Sequence, residues 1–135
     1  MTKKEIKNRR YDLEDRLLDF SVRIINVVEA LPNTLVGNHI SGQLLRCGTS
    51  AAPNYGEAQG AESRKDFIHK MKIALKELRE TKVWLNIIQR KMFDKRSKKL
   101  EAIITETNEL ICIFVASIKT AKENRGSKKQ GRQLV

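Results

Sequence analysis

Residues 67–92, FIHKMKIALKELRETKVWLNIIQRKM, decide the fold class. Within them Phe67, Met71, Ala74, Leu78, Thr81, Leu85, Ile88 and Met92 recur at alternating steps of four and three. That alternation keeps one face of an α-helix apolar along its whole length, as bundle or coiled-coil packing requires. A second four-three line, Ile73, Glu77, Glu80, Trp84 and Ile87, runs along a neighbouring face and mixes apolar groups with two acids. A row that faced only solvent would seldom hold Ile73, Trp84 and Ile87 together, so this helix is expected to have a second contact surface.

Upstream, Ser63-Arg64-Lys65-Asp66 reads as a capping sequence: a serine hydroxyl for an orphan amide, and an acid in the first turn. A third helix over 64–92 follows. Before it, Ile40, Leu44, Cys47, Ala51, Tyr55 and Ala58 share a face of a second helix over 38–60, which starts between the cap candidates Asn33 and Asn38. Pro53 removes an intrahelical donor and crowds the carbonyl of Thr49, which predicts a kink near Pro53, between residues 49 and 54; a chain break there is the rival reading. Beside that face run Arg46, Ser50, Asn54 and Glu57 at steps of four, four and three. With Glu77 and Glu80 they make a candidate structural polar cluster; a solvated face is the alternative.

Leu31-Pro32-Asn33 ends a first helix over 11–30, whose seam is Leu13, Leu17, Phe20, Ile24, Val27 and Leu31. Leu18, Val22, Ile25 and Val28 flank that seam and leave only a narrow polar stripe, more apolar arc than an isolated bundle needs. Downstream, Asp94 and Ser97 are cap candidates for a fourth helix over 96–124, with a seam of Leu100, Ile104, Thr107, Ile111, Phe114, Ile118 and Ala121. Its run Leu110 to Ala116 is apolar all round and must be covered on more than one side. Gly126 offers a stop.

The expected fold is thus all-α: one antiparallel up-down-up-down four-helix bundle over 11–124, after a basic N-terminal arm at 1–10 and before a basic disordered tail at 125–135. Few glycines and prolines, sparse aromatics and abundant Leu, Ile, Lys and Glu agree with it. Leu18, Val22, Ile25, Ile73, Trp84, Ile87 and Ile113 are the interface candidates.

Charge is distributed unevenly. The net +11 contains +4 in residues 1–10, +5 in residues 119–135, and +5 in the cluster Arg90, Lys91, Lys95, Arg96, Lys98 and Lys99 against Asp94, so the rest is about −3. Lys3, Lys4, Lys7, Arg9, Arg10, Arg90, Lys91, Lys95, Arg96, Lys98, Lys99, Lys128, Lys129 and Arg132 are therefore candidates for neutralising nucleic-acid phosphates. A surface charged for solubility explains the same residues, and the few aromatics leave no stacking platform for single strands.

Catalytic chemistry finds no support. A di-metal bundle site needs two Glu-x-x-His pairs; only Asp66 and His69 have comparable spacing, and His39 stands alone. Ser50, Cys47 and Cys112 have no local base, and the two cysteines read as small buried thiols. Glu77 and Glu80 pair structurally more naturally than they act as acid and base. No enzyme activity, catalytic residue, metal or cofactor is expected. No apolar run approaches the length of about eighteen residues that a membrane span needs, nor does MTKKEIKNRR lead a signal peptide, so the expected location is cytoplasmic.

Residues 42–85 resemble the four-helix-bundle proteins of the 23S rRNA intervening-sequence family. The resemblance is carried by the Gln-Leu-x-Arg entry at Gln43 to Arg46, by Ser50, Asn54 and Glu57, by Ser63-x-Lys65-Asp66-Phe67, and by Glu77, Glu80, Thr81 and Trp84. Departures fall at Tyr55-Gly56 and at Ala58. That family is similar in fold to the basic, barrel-like accessory proteins of diversity-generating retroelements, which implies a homopentamer working with nucleic acid. It brings no catalytic residues, and its name carries no ribosomal function. Two functions follow as expectations: a homo-oligomeric, non-enzymatic scaffold that holds RNA or DNA, with or without a protein partner, or a protein-interaction adaptor with no nucleic-acid role.

Overall fold

The computed structural model describes the backbone of residues 3–92 and 98–133 and the side chains of 13–91 and 98–124. Among the described residues the chain is helix and turn throughout: α1 (Lys3–Glu29), α2 (Leu35–Gly48), α3 (Ala51–Gln59), α4 (Arg64–Met92) and α5 (Lys98–Gln133). They form a bundle in which α4 lies against α2, α3 and α5, while α1 lies against α2, α3 and α5. Residue numbers run in opposite senses where α2 and α3 pack along α4. Arg46 meets Glu77 and Glu80, whereas further along the chain Glu57 meets Lys70.

The two end helices are longer than their seams. Helix α1 begins at Lys3, inside the expected arm, and α5 runs past Gly126 to Gln133 where a disordered tail was expected. Straight-chain Lys, Glu, Arg and Gln dominate both stretches and favour helix, which offsets the roughly 1 kcal/mol that an interior glycine costs. The cap candidates Asp94 and Ser97 lie outside the described residues.

The second helix starts at neither asparagine. Thr34 is its N-cap, in extended backbone (φ −131°, ψ 170°), and its hydroxyl accepts from Gly37 N at 3.0 Å. Asn33 Oδ1 instead accepts from Asn38 Nδ2 at 3.1 Å, so the two candidates bridge the cap from outside. Gly37 is required here: a Cβ would stand 1.9 Å from the Pro32 carbonyl oxygen. The Ser63 cap is as expected, its Oγ accepting from Asp66 N at 3.0 Å.

One helix over 38–60 is replaced by two, interrupted at Thr49 and Ser50. Thr49 N still donates to Leu45 O at 3.2 Å, Ser50 N turns to Cys47 O at 3.3 Å, and Asn54 N reaches Ser50 O at 3.2 Å. Pro53 has no N–H to offer the Thr49 carbonyl, which places the interruption at Thr49, one turn upstream of the ring.

The core comprises Leu17, Phe20 and Ile24 of α1, Ile40, Leu44 and Cys47 of α2, Ala51, Tyr55 and Ala58 of α3, with Met71, Ala74, Leu78, Leu85 and Ile88 of α4. From α5 it takes Leu100, Ile103, Leu110, Phe114, Ile118 and Ala121. Ile103 and Leu110 thus replace the expected Ile104 and Ile111, which pack at the core's edge, and Ile68 is buried more deeply than Phe67. Tyr55 and Phe114 meet edge to face at 6.2 Å. The buried polar side chains Thr81 and Thr107 satisfy themselves one turn back, on Glu77 O (2.7 Å) and Ile103 O (2.6 Å). That lets hydroxyls sit in the core without an orphan donor.

Candidate functional site

The expected polar cluster resolves into three separate groupings. In the first, Arg46 of α2 reaches across to α4: Nη1 donates to Glu77 Oε2 at 3.1 Å, while Nη2 donates to Glu80 Oε2 and to Gln43 Oε1 (3.3 Å). Trp84 Nε1 donates to the same Glu80 Oε2 at 3.2 Å, and the His39 ring meets Trp84 edge to face at 5.8 Å. Desolvation pulls the Arg46 pKa down, but the charges of Glu80 and Glu77 outweigh it, and the guanidinium is held above its ordinary value. In the second, Asn54 Nδ2 donates to Ser50 O (2.9 Å) and Ser50 Oγ (3.0 Å) within one turn. In the third, Lys70 Nζ donates to Glu57 Oε2 at 2.9 Å, tying α3 to α4. The steps of four, four and three align these residues along the chain, but the interruption at Thr49–Ser50 separates Arg46 from the Ser50–Asn54 pair.

A further ion-pair group had no local signal in the sequence. Arg16 of α1 grips Glu106 of α5 with Nε (3.1 Å) and Nη2 (2.5 Å), and Nη2 also reaches Glu109 at 3.0 Å. The hydrogen bond to Glu106 is the main reason its pKa is raised. Ninety residues separate the partners, so only the folded bundle brings them together.

The interface candidates fall on two faces. Leu18, Val22 and Ile25 make an exposed row on α1, at 53 %, 55 % and 37 % exposure. Leu18 borders a groove with Ala52 and Pro53 of α3. Ile87 is exposed on α4, and Ile73, Trp84 and Ile113 are half-buried. Sequence reading missed Leu35, Val36, Leu45, Val83 and Val115, all exposed, with Leu35 at 89 %. Cys47 is buried, and burial pushes its thiol up to about 11; Cys112, expected to be buried as well, is exposed.

Of the basic candidates, Arg90, Lys91, Lys98 and Lys99 are exposed near the α4–α5 turn. The side chains of Lys3, Lys4, Lys7, Arg9, Arg10, Lys95, Arg96, Lys128, Lys129 and Arg132 lie outside the described residues. A basic groove absent from that set runs between α4 and α5. Lys72 and Arg79 face Lys119 and Lys122 over Leu75, Val115 and Ile118, with Glu123 as its one acid. The proximity of Lys72 depresses the Lys122 pKa. Among the described residues, no group of three or more His, Cys, Asp or Glu side chains is placed to hold a metal ion, and no helix is long and apolar enough to cross a membrane.

These features define a helical-bundle protein with cross-helix ion pairs and exposed apolar rows. The family model described as 23S rRNA-intervening sequence protein matches residues 9–114, and the chain belongs to that family. The chain is similar to a structurally characterised protein of unknown function from the S23 ribosomal protein family of Bacteroides thetaiotaomicron VPI-5482. The two are 40 % identical with a TM-score of 0.72, over 78 % of this chain and 97 % of the other. No curated protein matches.

Proposed function

We propose that this chain is a non-enzymatic scaffold that assembles with copies of itself and holds RNA or DNA on its basic surfaces. The observation that carries this reading is the exposed row Leu18, Val22 and Ile25 beside Ala52 and Pro53. An isolated soluble monomer rarely leaves so aligned an apolar strip in water. Closed symmetry with another copy would cover it, and five copies is the number implied by the resemblance to the retroelement accessory proteins. The positive charge of the whole chain supports a polyanionic partner. The cytoplasm is the compartment in which such a partner would be met.

The test has two parts. Leu18→Asp with Val22→Asp is expected to reduce the solution mass to that of a smaller species while helicity is retained; a wild-type monomer would overturn the assembly. Protein stripped of co-purifying nucleic acid is expected to bind RNA or DNA with steep salt dependence, and absence of binding at low salt would overturn that half.

A second reading, a protein-interaction adaptor, is favoured by the surface around Trp84. His39 packs on its ring, and Val83, Ile87, Leu35 and Val36 are exposed on the two helices that meet there. A partner helix laid on this surface would be lost with Trp84→Ala and kept when residues 125–135 are removed. The opposite pattern would favour nucleic acid.

A further inference from the structure

The α4–α5 groove pairs two features that do not ordinarily coexist on a surface held only for solubility. Its four cations, Lys72, Arg79, Lys119 and Lys122, converge from two helices onto one strip, and Glu123 alone opposes them. Elsewhere this protein neutralises its cross-helix cations: Arg16 with Glu106 and Glu109, Arg46 with Glu77 and Glu80, Lys70 with Glu57. Among the described residues, none of the four groove cations has an ion-pair partner. Lys72 is close enough to Lys122 to disfavour the charge on Lys122. A polyanion laid along the groove would relieve that repulsion.

We infer that the groove between α4 and α5 is a track for the phosphate backbone of double-stranded nucleic acid. The inference rests on the nucleic-acid reading above and names a site for it. The floor of Leu75, Val115 and Ile118 suits the aliphatic stems of lysine and arginine, with their charged heads at the rim. No aromatic side chain lines it, so it offers single-stranded bases nothing to stack on. Phosphates are what its cations recognise, without regard to sequence. Lys72 and Arg79 stand about 10 Å apart along α4 at ~1.5 Å per residue. That distance spans several backbone charges of a duplex, which carries one per ~1.7 Å of axis.

The experiment is a salt titration of the full-length, nucleic-acid-free protein binding a short mixed-sequence RNA duplex, the matching DNA duplex, and the single strands. It is run on the wild type, Lys72→Gln with Lys122→Gln, and Lys72→Arg with Lys122→Arg, and the solution mass of each is measured. The glutamine pair is expected to lower the salt slope by about 2 and to weaken duplex binding by roughly tenfold or more, whereas the arginine pair retains the wild-type slope. RNA and DNA duplexes are expected to bind within a few-fold of one another and more tightly than single strands. Duplex binding with an unchanged slope in the glutamine pair overturns the groove and leaves the parent reading standing. Tighter binding of single strands also overturns the groove. So does a glutamine pair that changes the solution mass but not the binding, because the strip would then be a subunit contact. No wild-type binding at low salt overturns the parent reading and the groove together.

Discussion

Gly48 of α2 touches Ile24 of α1 so closely that a Cβ on the glycine would stand 2.6 Å from Ile24 Cγ2. Ile24 is fully buried, so its side chain cannot swing into solvent. Gly48→Ala is therefore expected to destabilise the fold by about 1–3 kcal/mol, the usual cost of overpacking. Ile24→Val in the same chain should return part of that loss, which a double-mutant cycle in denaturant would read as coupling. Simple additivity would mean that α1 and α2 do not meet at this point.

The two cysteines should separate chemically. With its thiol pushed up to about 11, Cys47 stays protonated and buried at neutral pH, so alkylation of the native protein should label Cys112 first and Cys47 only on unfolding. A thiol whose folded pKa is raised from 9.0 contributes stability fully present below pH 9.0 and lost as pH climbs through about 11. Equilibrium unfolding of wild type and Cys47→Ala between those limits would show the wild type alone carrying this decline.

Lys72 and Lys122 repel each other in the folded state, and the lowered Lys122 pKa records it. The penalty is fully present at neutral pH, where Lys122 is charged, and fades as pH rises through the Lys122 titration. Lys122→Gln should thus raise the thermal midpoint at low ionic strength. The gain should shrink once salt brings the screening length to about 10 Å or less. A stabilisation independent of salt would point to packing instead.

Trp84 is the chain's one tryptophan, so its emission reports the Arg46 group without interference. Arg46→Gln removes the cation that holds Glu80 while sparing the indole's own bond to that carboxylate. The expected result is a shifted emission maximum with unchanged helicity, because half-exposed ion pairs contribute little to global stability. An unaltered spectrum would show that Glu80 is positioned without Arg46.

The bundle was legible chiefly in residues 67–92, where Met71, Leu78 and Thr81 each stand between charged neighbours, although the adjacent pair Phe67 and Ile68 left the start of that seam open and the core took Ile68. It was less legible in α5. There Ile103 precedes Ile104 and Leu110 precedes Ile111, and equal hydrophobicity on adjacent positions leaves the seam free to pass through either. The start of α2 falls within the expected span between Asn33 and Asn38, but its cap is Thr34 rather than either asparagine, because threonine also carries an oxygen suited to a cap and the turn after Pro32 selects it. The Arg46 to Glu77 and Glu80 bridge lies within the candidate polar cluster that helical register suggested, for which a solvated face was the alternative. Lys72 and Lys122 lie fifty positions apart on helices whose relative rotation no local pattern fixes, so their groove emerged only from the folded bundle. The same holds for Arg16 and Glu106.

Helix α4 turns Glu77 and Glu80 toward α2, where Arg46 pairs with both, and Lys72 and Arg79 toward α5, where Glu123 is the one acid among the described residues lining the groove. Charge is thus balanced on one flank of α4 and unbalanced on the other. If the α4–α5 groove is the nucleic-acid track proposed above, that imbalance would turn the molecule in the field of a polyanion before contact, with the α4–α5 side leading.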